Sequence, residues 1–184
     1  MTATPKLRMT VDEFLVWAED RPGRHELYDG DVFTRSPQRV RQAETRFSVH
    51  VALRSAIRRD GLPCHMLPNG LTVRIDRTTA FEPDALVYCG DPVDPDAIEI
   101  QNPVIVVEVL SPSTKAVDSG AKLIGYVQLP SVAHYLIVDP VRHRVIHHRR
   151  GEAGLIETRI AADGVLDLTP PGLAIAVADL FEDT

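Results

Sequence analysis

The sequence predicts an α/β (α+β) protein, a central mixed β-sheet flanked by helices. Three observations carry this. Two apolar runs, 104–110 and 133–138, have the length and β-branched content of strands buried on both faces. A longer segment between Ser36-Pro37 and Gly61 has the spacing of an amphipathic helix. Further strand-length runs stand between Gly, Pro and Asp turn signals.

Taken in order, Thr10-Val-Asp-Glu13 is a capping box, and Phe14, Leu15, Trp17 and Ala18 follow at helical spacing up to the Pro22-Gly23 turn. His25–Tyr28, Asp29-Gly30 and Asp31–Thr34 read as a β-hairpin on an Asp-Gly turn. Ser36 as N-cap and Pro37 in the first turn begin the long helix, with Val40, Ala43, Phe47, Val51 and the Ala56/Ile57 pair inward, and Gly61 ends it. Strands are expected at 64–67, 71–75, 85–88 and 104–110, with an exposed acidic loop at 90–96. A helix over 117–128 precedes the strand at 133–138. Asp139-Pro140 turns into 143–149, weaker strands follow near 154–160, 165–168 and 173–176, and a terminal helical turn begins at Val177.

The length of 184 residues and the absence of any linker or repeat make 1–184 one expected domain. No apolar stretch approaches the roughly 18 residues of a membrane span, and residues 1–10 lack the apolar core of a secretory signal. A cytoplasmic location is expected, with Cys64 and Cys89 as free thiols, since neither has metal-ligand spacing.

The net charge of −6 argues at first against nucleic acid, but its distribution is uneven. Residues 31–60 hold seven Arg against Asp31, Glu44 and Asp60; residues 76–108 hold eight acids against Arg77 alone. A basic surface beside an acidic cluster is what a metal-dependent phosphodiesterase needs. A helix with a solvated arginine face would look the same.

The acid that stands out is Glu108, inside Val-Val-Glu-Val-Leu110. A buried strand takes a charge only when the charge is paired or binds a metal, and pairing with an arginine is the structural alternative. Asp84, set in extended geometry after Pro83, lies one strand earlier; a surface turn acid is its bland reading. Two strand carboxylates and the Val109 carbonyl make a donor set for Mg²⁺ or Mn²⁺. A nearby cation would support the attacking water and the developing charge. Leu110 leaves no lysine on that strand, so Lys122 is the candidate, with Lys115 weaker. Asp118, Lys122 and Tyr126 share one helix side, an arrangement that an exposed i,i+4 ion pair would also produce. Glu26, in the first hairpin strand, is either a fourth site acid or an outward strand residue. His147 and His148 read as surface residues, and Ser111 and Ser113 as loop or cap residues.

Six segments in order then resemble one family: Met9–Leu15, Arg24–Gly30, Glu82-Pro-Asp84, Pro103–Thr114, Asp118-x-x-x-Lys122-x-x-x-Tyr126 and His134–Asp139. The chain resembles the Uma-two type of restriction endonuclease, within the PD-(D/E)XK nuclease superfamily, over roughly residues 9–150. The resemblance implies a restriction-endonuclease-like core. It also implies that Asp84 and Glu108 are metal-binding acids, with the signature lysine carried on the following helix as Lys122 and Glu26 on the family's early glutamate. One departure stands: the histidine that members often carry near the start of the long helix is absent from Arg39-Val-Arg-Gln-Ala43.

The expected function is therefore a Mg²⁺-dependent endonuclease acting on DNA. Asp84, Glu108 and the Val109 carbonyl hold the metal, Lys122 and Glu26 complete the catalytic set, and Arg39, Arg41 and Arg46 contact the nucleic-acid backbone. A homodimer is expected because two strands need two sites. The competing expectation is a non-catalytic interaction or regulatory module that kept the fold.

Overall fold

The computed structural model describes residues 8–111 and 118–181. Its helices are α1 (Val11–Glu19), α2 (Val40–Arg59) and α3 (Asp118–Gln128). Its strands are β1 (His25–Tyr28), β2 (Asp31–Thr34), β3 (Cys64–Pro68), β4 (Val73–Arg74), β5 (Ala80–Phe81), β6 (Ala85–Cys89), β7 (Ile105–Val109), β8 (His134–Asp139), β9 (Arg144–Arg150), β10 (Ile156–Ala161), β11 (Val165–Leu168) and β12 (Leu173–Ala176). Ser113 and Lys115 lie outside the described residues, and so does the side chain of Asp118.

The central sheet has six strands in the order β10-β9-β8-β7-β6-β3. It is mixed, as expected: β7 and β8 run parallel and the other neighbours antiparallel. Every residue of β7 is buried, and the pleat sends alternate side chains to opposite faces. Ile105, Val107 and Val109 join a core with Val49, Leu53 and Ala56 of α2. On the other face Val106 packs with Leu86, Tyr126 of α3, Tyr135 and Ile137. Glu108 alternates onto this second face, toward α3.

The short strands β4 and β5 join the hairpin in a second sheet, β2-β1-β5-β4, so the strand expected over 71–75 shrinks to Val73–Arg74 and leaves the central sheet. The hairpin turns on Asp29 and Gly30, both at positive φ (49° and 78°), the backbone that makes Asp-Gly the favoured pair there. Thr10 and Glu13 form the capping box of α1. Helix α3 lies close to β5: a Cβ on Gly125 would stand 2.7 Å from the Phe81 ring. That approach brings Lys122 and Tyr126 down to the sheet.

Three expectations are corrected. Helix α2 starts at Val40 with Arg39 as its N-cap, and of the residues expected on its inner face the Ala56/Ile57 pair is buried while Val40, Ala43, Phe47 and Val51 are not. Gln42, Thr45, Arg46, Val49, Leu53, Ala56 and Ile57 point inward, whereas Ala43 is exposed and Val40, Phe47 and Val51 are 74%, 54% and 39% exposed. The first turns of α2 cover acids rather than hydrocarbon, so polar residues take the inner face. Cys64 and Cys89 are not free thiols; they oppose each other on β3 and β6 and form a disulfide. His147 and His148 are buried, not superficial: β10 covers the β9 edge, His147 meets His134 at 2.8 Å and His148 meets Thr158 Oγ1 at 2.8 Å.

Candidate active site

The acids that looked costly in the sequence meet in one buried cluster. Asp84, fully buried, stands just ahead of β6, where its N–H donates to the Val107 carbonyl at 2.9 Å. Its Oδ2 accepts the Val109 N–H at 2.8 Å, so the two strands fix its carboxylate beside Glu108. Glu108 is 6% exposed. Its Oε1 accepts from Lys122 Nζ at 2.9 Å and from the Tyr126 hydroxyl at 3.3 Å. Lys122 also donates to Glu26 Oε1 at 2.8 Å, and Glu26 Oε1 accepts the Glu82 N–H at 3.1 Å.

Lys122 is therefore no exposed helix pair; it is 3% exposed and spans from α3 to a strand of each sheet. Glu26 points inward with it. Asp84 is likewise not a surface turn acid.

Sequence reasoning missed the arginines that complete the cluster. Asp84 Oδ1 is contacted by Arg46 at 2.7 Å, Arg24 at 3.0 Å and Arg35 at 3.4 Å. Arg35 also reaches Glu108 Oε2 at 3.2 Å, and Arg24 pairs with Glu82. The arginine pairing weighed for Glu108 is thus present together with the lysine. Arg46 is 8% exposed and turned to Asp84, whereas Arg39 and Arg41 stay exposed at the start of α2. No histidine occupies that start, but His50, two turns on, sets its Nε2 2.9 Å from the Asp84 carbonyl oxygen. The arginines gave no local signal because Arg24 lies just before β1, Arg35 just after β2 and Arg46 on α2, and only the fold brings them to the acids.

These charges oppose burial. Burial acts to raise the Asp84 carboxyl, but Arg35, Arg46, Arg24 and the Val109 N–H outweigh it, so its pKa lies below the ordinary value. Burial outweighs Lys122 and Arg35 at Glu108, whose carboxyl is raised. At Lys122 burial is overcome by Glu108 and Glu26, so the ammonium is held more firmly than in water. Burial raises the Tyr126 hydroxyl well above its usual value, so it stays a donor.

In kind, these donors fit a hard divalent cation: two carboxylates, Asp84 just ahead of β6 and Glu108 on the neighbouring β7, close enough to share the Arg35 Nη2. Among the described residues no group of three or more His, Cys, Asp or Glu side chains is set to hold a metal, so water and backbone oxygens would have to complete its shell. The acids in this structure are matched by cations: Glu26, Glu82, Asp84 and Glu108 against Arg24, Arg35, Arg46 and Lys122. Beside the cluster opens a cavity of about 300 Å³ lined by Arg24, Arg35, Ser36, Pro37, Gln38 and Gln42.

Comparison with known proteins fits this geometry. Residues 11–178 match the model of a family described as "Putative restriction endonuclease", Uma2. An uncharacterized protein of Synechocystis sp. is 29% identical over 182 residues, covering 97% of this chain and 94% of that protein. A second uncharacterized Synechocystis protein is 32% identical over 72 residues, 38% of this chain and 41% of that one. Among solved structures, a protein from Anabaena variabilis described as "a putative nuclease belonging to DUF820" superposes with a TM-score of 0.73, covering 94% of this chain and 97% of that chain at 16% identity. That similarity shows a shared fold.

Proposed function

Because the chain belongs to the Uma2 family, described as "Putative restriction endonuclease", we propose that it is a metal-dependent endonuclease hydrolysing DNA phosphodiester bonds. The observation that carries the reading is Lys122 Nζ, which reaches the buried Glu108 from α3 at 2.9 Å and Glu26 at 2.8 Å. Leu110 leaves no lysine two residues after Glu108, so in this reading Lys122 takes that role.

In this reading Asp84, Glu108 and the Val109 carbonyl would hold Mg²⁺, with Mn²⁺ able to substitute. The ion would lower the pKa of a bound water and polarise a phosphoryl oxygen. Lys122, firmly protonated, is not a general base. It directs two of its three N–H donors at Glu108 and Glu26 and has a third for a water or phosphate oxygen. Glu26 positions that ammonium, and Tyr126 steadies Glu108 as a neutral donor. Arg39 and Arg41 contact the DNA backbone from the exposed start of α2, whereas Arg46 orients Asp84. We further propose a single domain over 1–184, a homodimer whose two sites cut the two strands, and a cytoplasmic location in which the Cys64–Cys89 disulfide is an exception to the usual reduced thiols.

One observation favours the competing reading of a non-catalytic module: the acids are already fully matched by cations. Plasmid nicking separates the two. Wild type is expected to nick supercoiled DNA with Mg²⁺ or Mn²⁺ and to stop in EDTA, while Asp84→Asn, Glu108→Gln and Lys122→Met lose activity by about 100-fold or more each. Nicking that persists in all three variants would remove the assignment.

A further inference from the structure

Four basic and four acidic side chains make the cluster formally neutral, and a divalent cation added to it would leave two uncompensated positive charges in a buried place. Something positive must leave, or something negative must arrive. The structure singles out the side chain able to do the first. Among the described residues, Arg35 is the one whose side chain touches both Asp84 and Glu108, through Nη2 at 3.4 and 3.2 Å. Its positive charge lies against the two acids that a shared cation would need.

Arg35 also borders open space, and its Nη1, which donates to the Glu82 carbonyl at 2.6 Å, would exchange that acceptor for a phosphate oxygen on moving. It follows β2 directly, its backbone tied by its N–H to the Arg24 carbonyl at 2.9 Å. Its side chain is 15% exposed, against 4% for Lys122, and it lines the cavity of about 300 Å³ beside the cluster. A guanidinium fork fits a phosphate as well as a carboxylate. Arg24 lines the same cavity, so a phosphate entering there meets two guanidinium groups.

We propose that Arg35 guards the acid pair: it excludes a divalent cation from Asp84 and Glu108 until a nucleic-acid phosphate draws its guanidinium into the adjoining cavity. The inference rests on the nuclease reading of the site. It makes cation and phosphate binding mutually dependent, each strengthening the other by the same factor. An enzyme so built holds its metal loosely when no substrate is present and cannot assemble the charged site on anything that lacks a phosphate.

The test is calorimetric titration with Ca²⁺ as probe, with and without a short DNA duplex, for wild type, Arg35→Met and Arg35→Lys, each checked by circular dichroism. Arg35→Met is expected to bind Ca²⁺ alone at least about tenfold tighter than wild type, since one opposing charge is gone. Duplex should tighten Ca²⁺ binding about tenfold or more in wild type and far less in Arg35→Met. Arg35→Lys, which keeps the charge, should stay near wild type. Should Arg35→Met fail to fold, Arg24→Met removes a charge from the more exposed end of the cluster and is expected to move Ca²⁺ affinity the same way. Ca²⁺ affinity unchanged or weakened in the folded charge-removing variant overturns the guard. If that happens while wild type nicks plasmid, the guard alone falls. If no protein binds Ca²⁺ with or without DNA and none nicks, the nuclease reading falls and takes the guard with it.

Discussion

Replacing Lys122 by Met keeps the length of the side chain and removes its charge, so it isolates what the ammonium does for the cluster. Lys122 is 3% exposed and sits 2.8 Å from Glu26 and 2.9 Å from Glu108. Deleting one partner of a buried pair costs about 3–5 kcal/mol, because the remaining charge is stranded. Arg35 still contacts Glu108 and Glu26, at 3.2 and 3.5 Å, so the lower end of that range applies, about 3 kcal/mol. For a chain of this length that is a fall in Tm of roughly 6–12 °C. The loss should depend on pH. In the variant, Glu108 loses the largest influence holding its pKa down, and burial lifts its carboxyl further above the unfolded value. A carboxyl raised in the folded state binds a proton there first. Folding of the variant therefore gains relative to wild type as pH falls from neutral toward the ordinary carboxylate range, and the deficit is widest above it. Urea denaturation followed by the fluorescence of Trp17, at pH 8 and pH 5, measures both quantities. A second change, Glu108→Gln, should recover part of the loss, since no charge is then stranded on that strand. A deficit below about 1 kcal/mol at pH 8, or one that does not narrow at pH 5, would refute the account of Lys122 as the buried counter-charge.

Three further outcomes are expected. Reducing the Cys64–Cys89 bridge, or replacing both residues by Ser, opens a loop of sequence separation 25 and should lower stability by about 3 kcal/mol in denaturant titrations. His134 and His147 are held neutral chiefly by burial, with pKa values of about 4. The unfolded chain binds more protons between pH 6.5 and 4, so stability present above pH 6.5 should drain away as pH falls through that window, by on the order of 3 kcal/mol for each histidine, and His147→Phe should flatten the dependence. On α2, Arg41→Ala should leave folding unchanged and reduce the salt slope of DNA binding by about 1, whereas Arg46→Met should cost about 3 kcal/mol of stability by stripping one arginine from Asp84.

The amino-acid sequence by itself determined what depends on near neighbours in the chain. The capping box of α1, the Asp-Gly hairpin, the doubly buried β7 and the cost of Glu108 within it are all set by residues a few positions apart, where hydrogen-bond geometry and strand pleat leave little choice. It also offered Asp84, Lys122 and Glu26 as candidates, Lys122 because Leu110 leaves no lysine on the strand and Glu26 as one of two open readings, with the family resemblance pointing to both. The tertiary structure alone decided how the acids are balanced. Arg24 and Arg35 flank the β1–β2 hairpin and Arg46 lies on α2, and no local pattern distinguishes an arginine bound to a buried carboxylate from one in solvent. The same reason explains α2. Apolar spacing pointed to Val40, Phe47 and Val51 as its inner face, but Arg46 pairs there with the buried Asp84 and Gln42 donates to the Leu110 carbonyl, and polar pairing in a place without water outweighed the transfer of a few apolar side chains. Cross-strand register likewise joined Cys64 to Cys89, because a pairing 25 residues apart is a property of how β3 meets β6 and not of either segment.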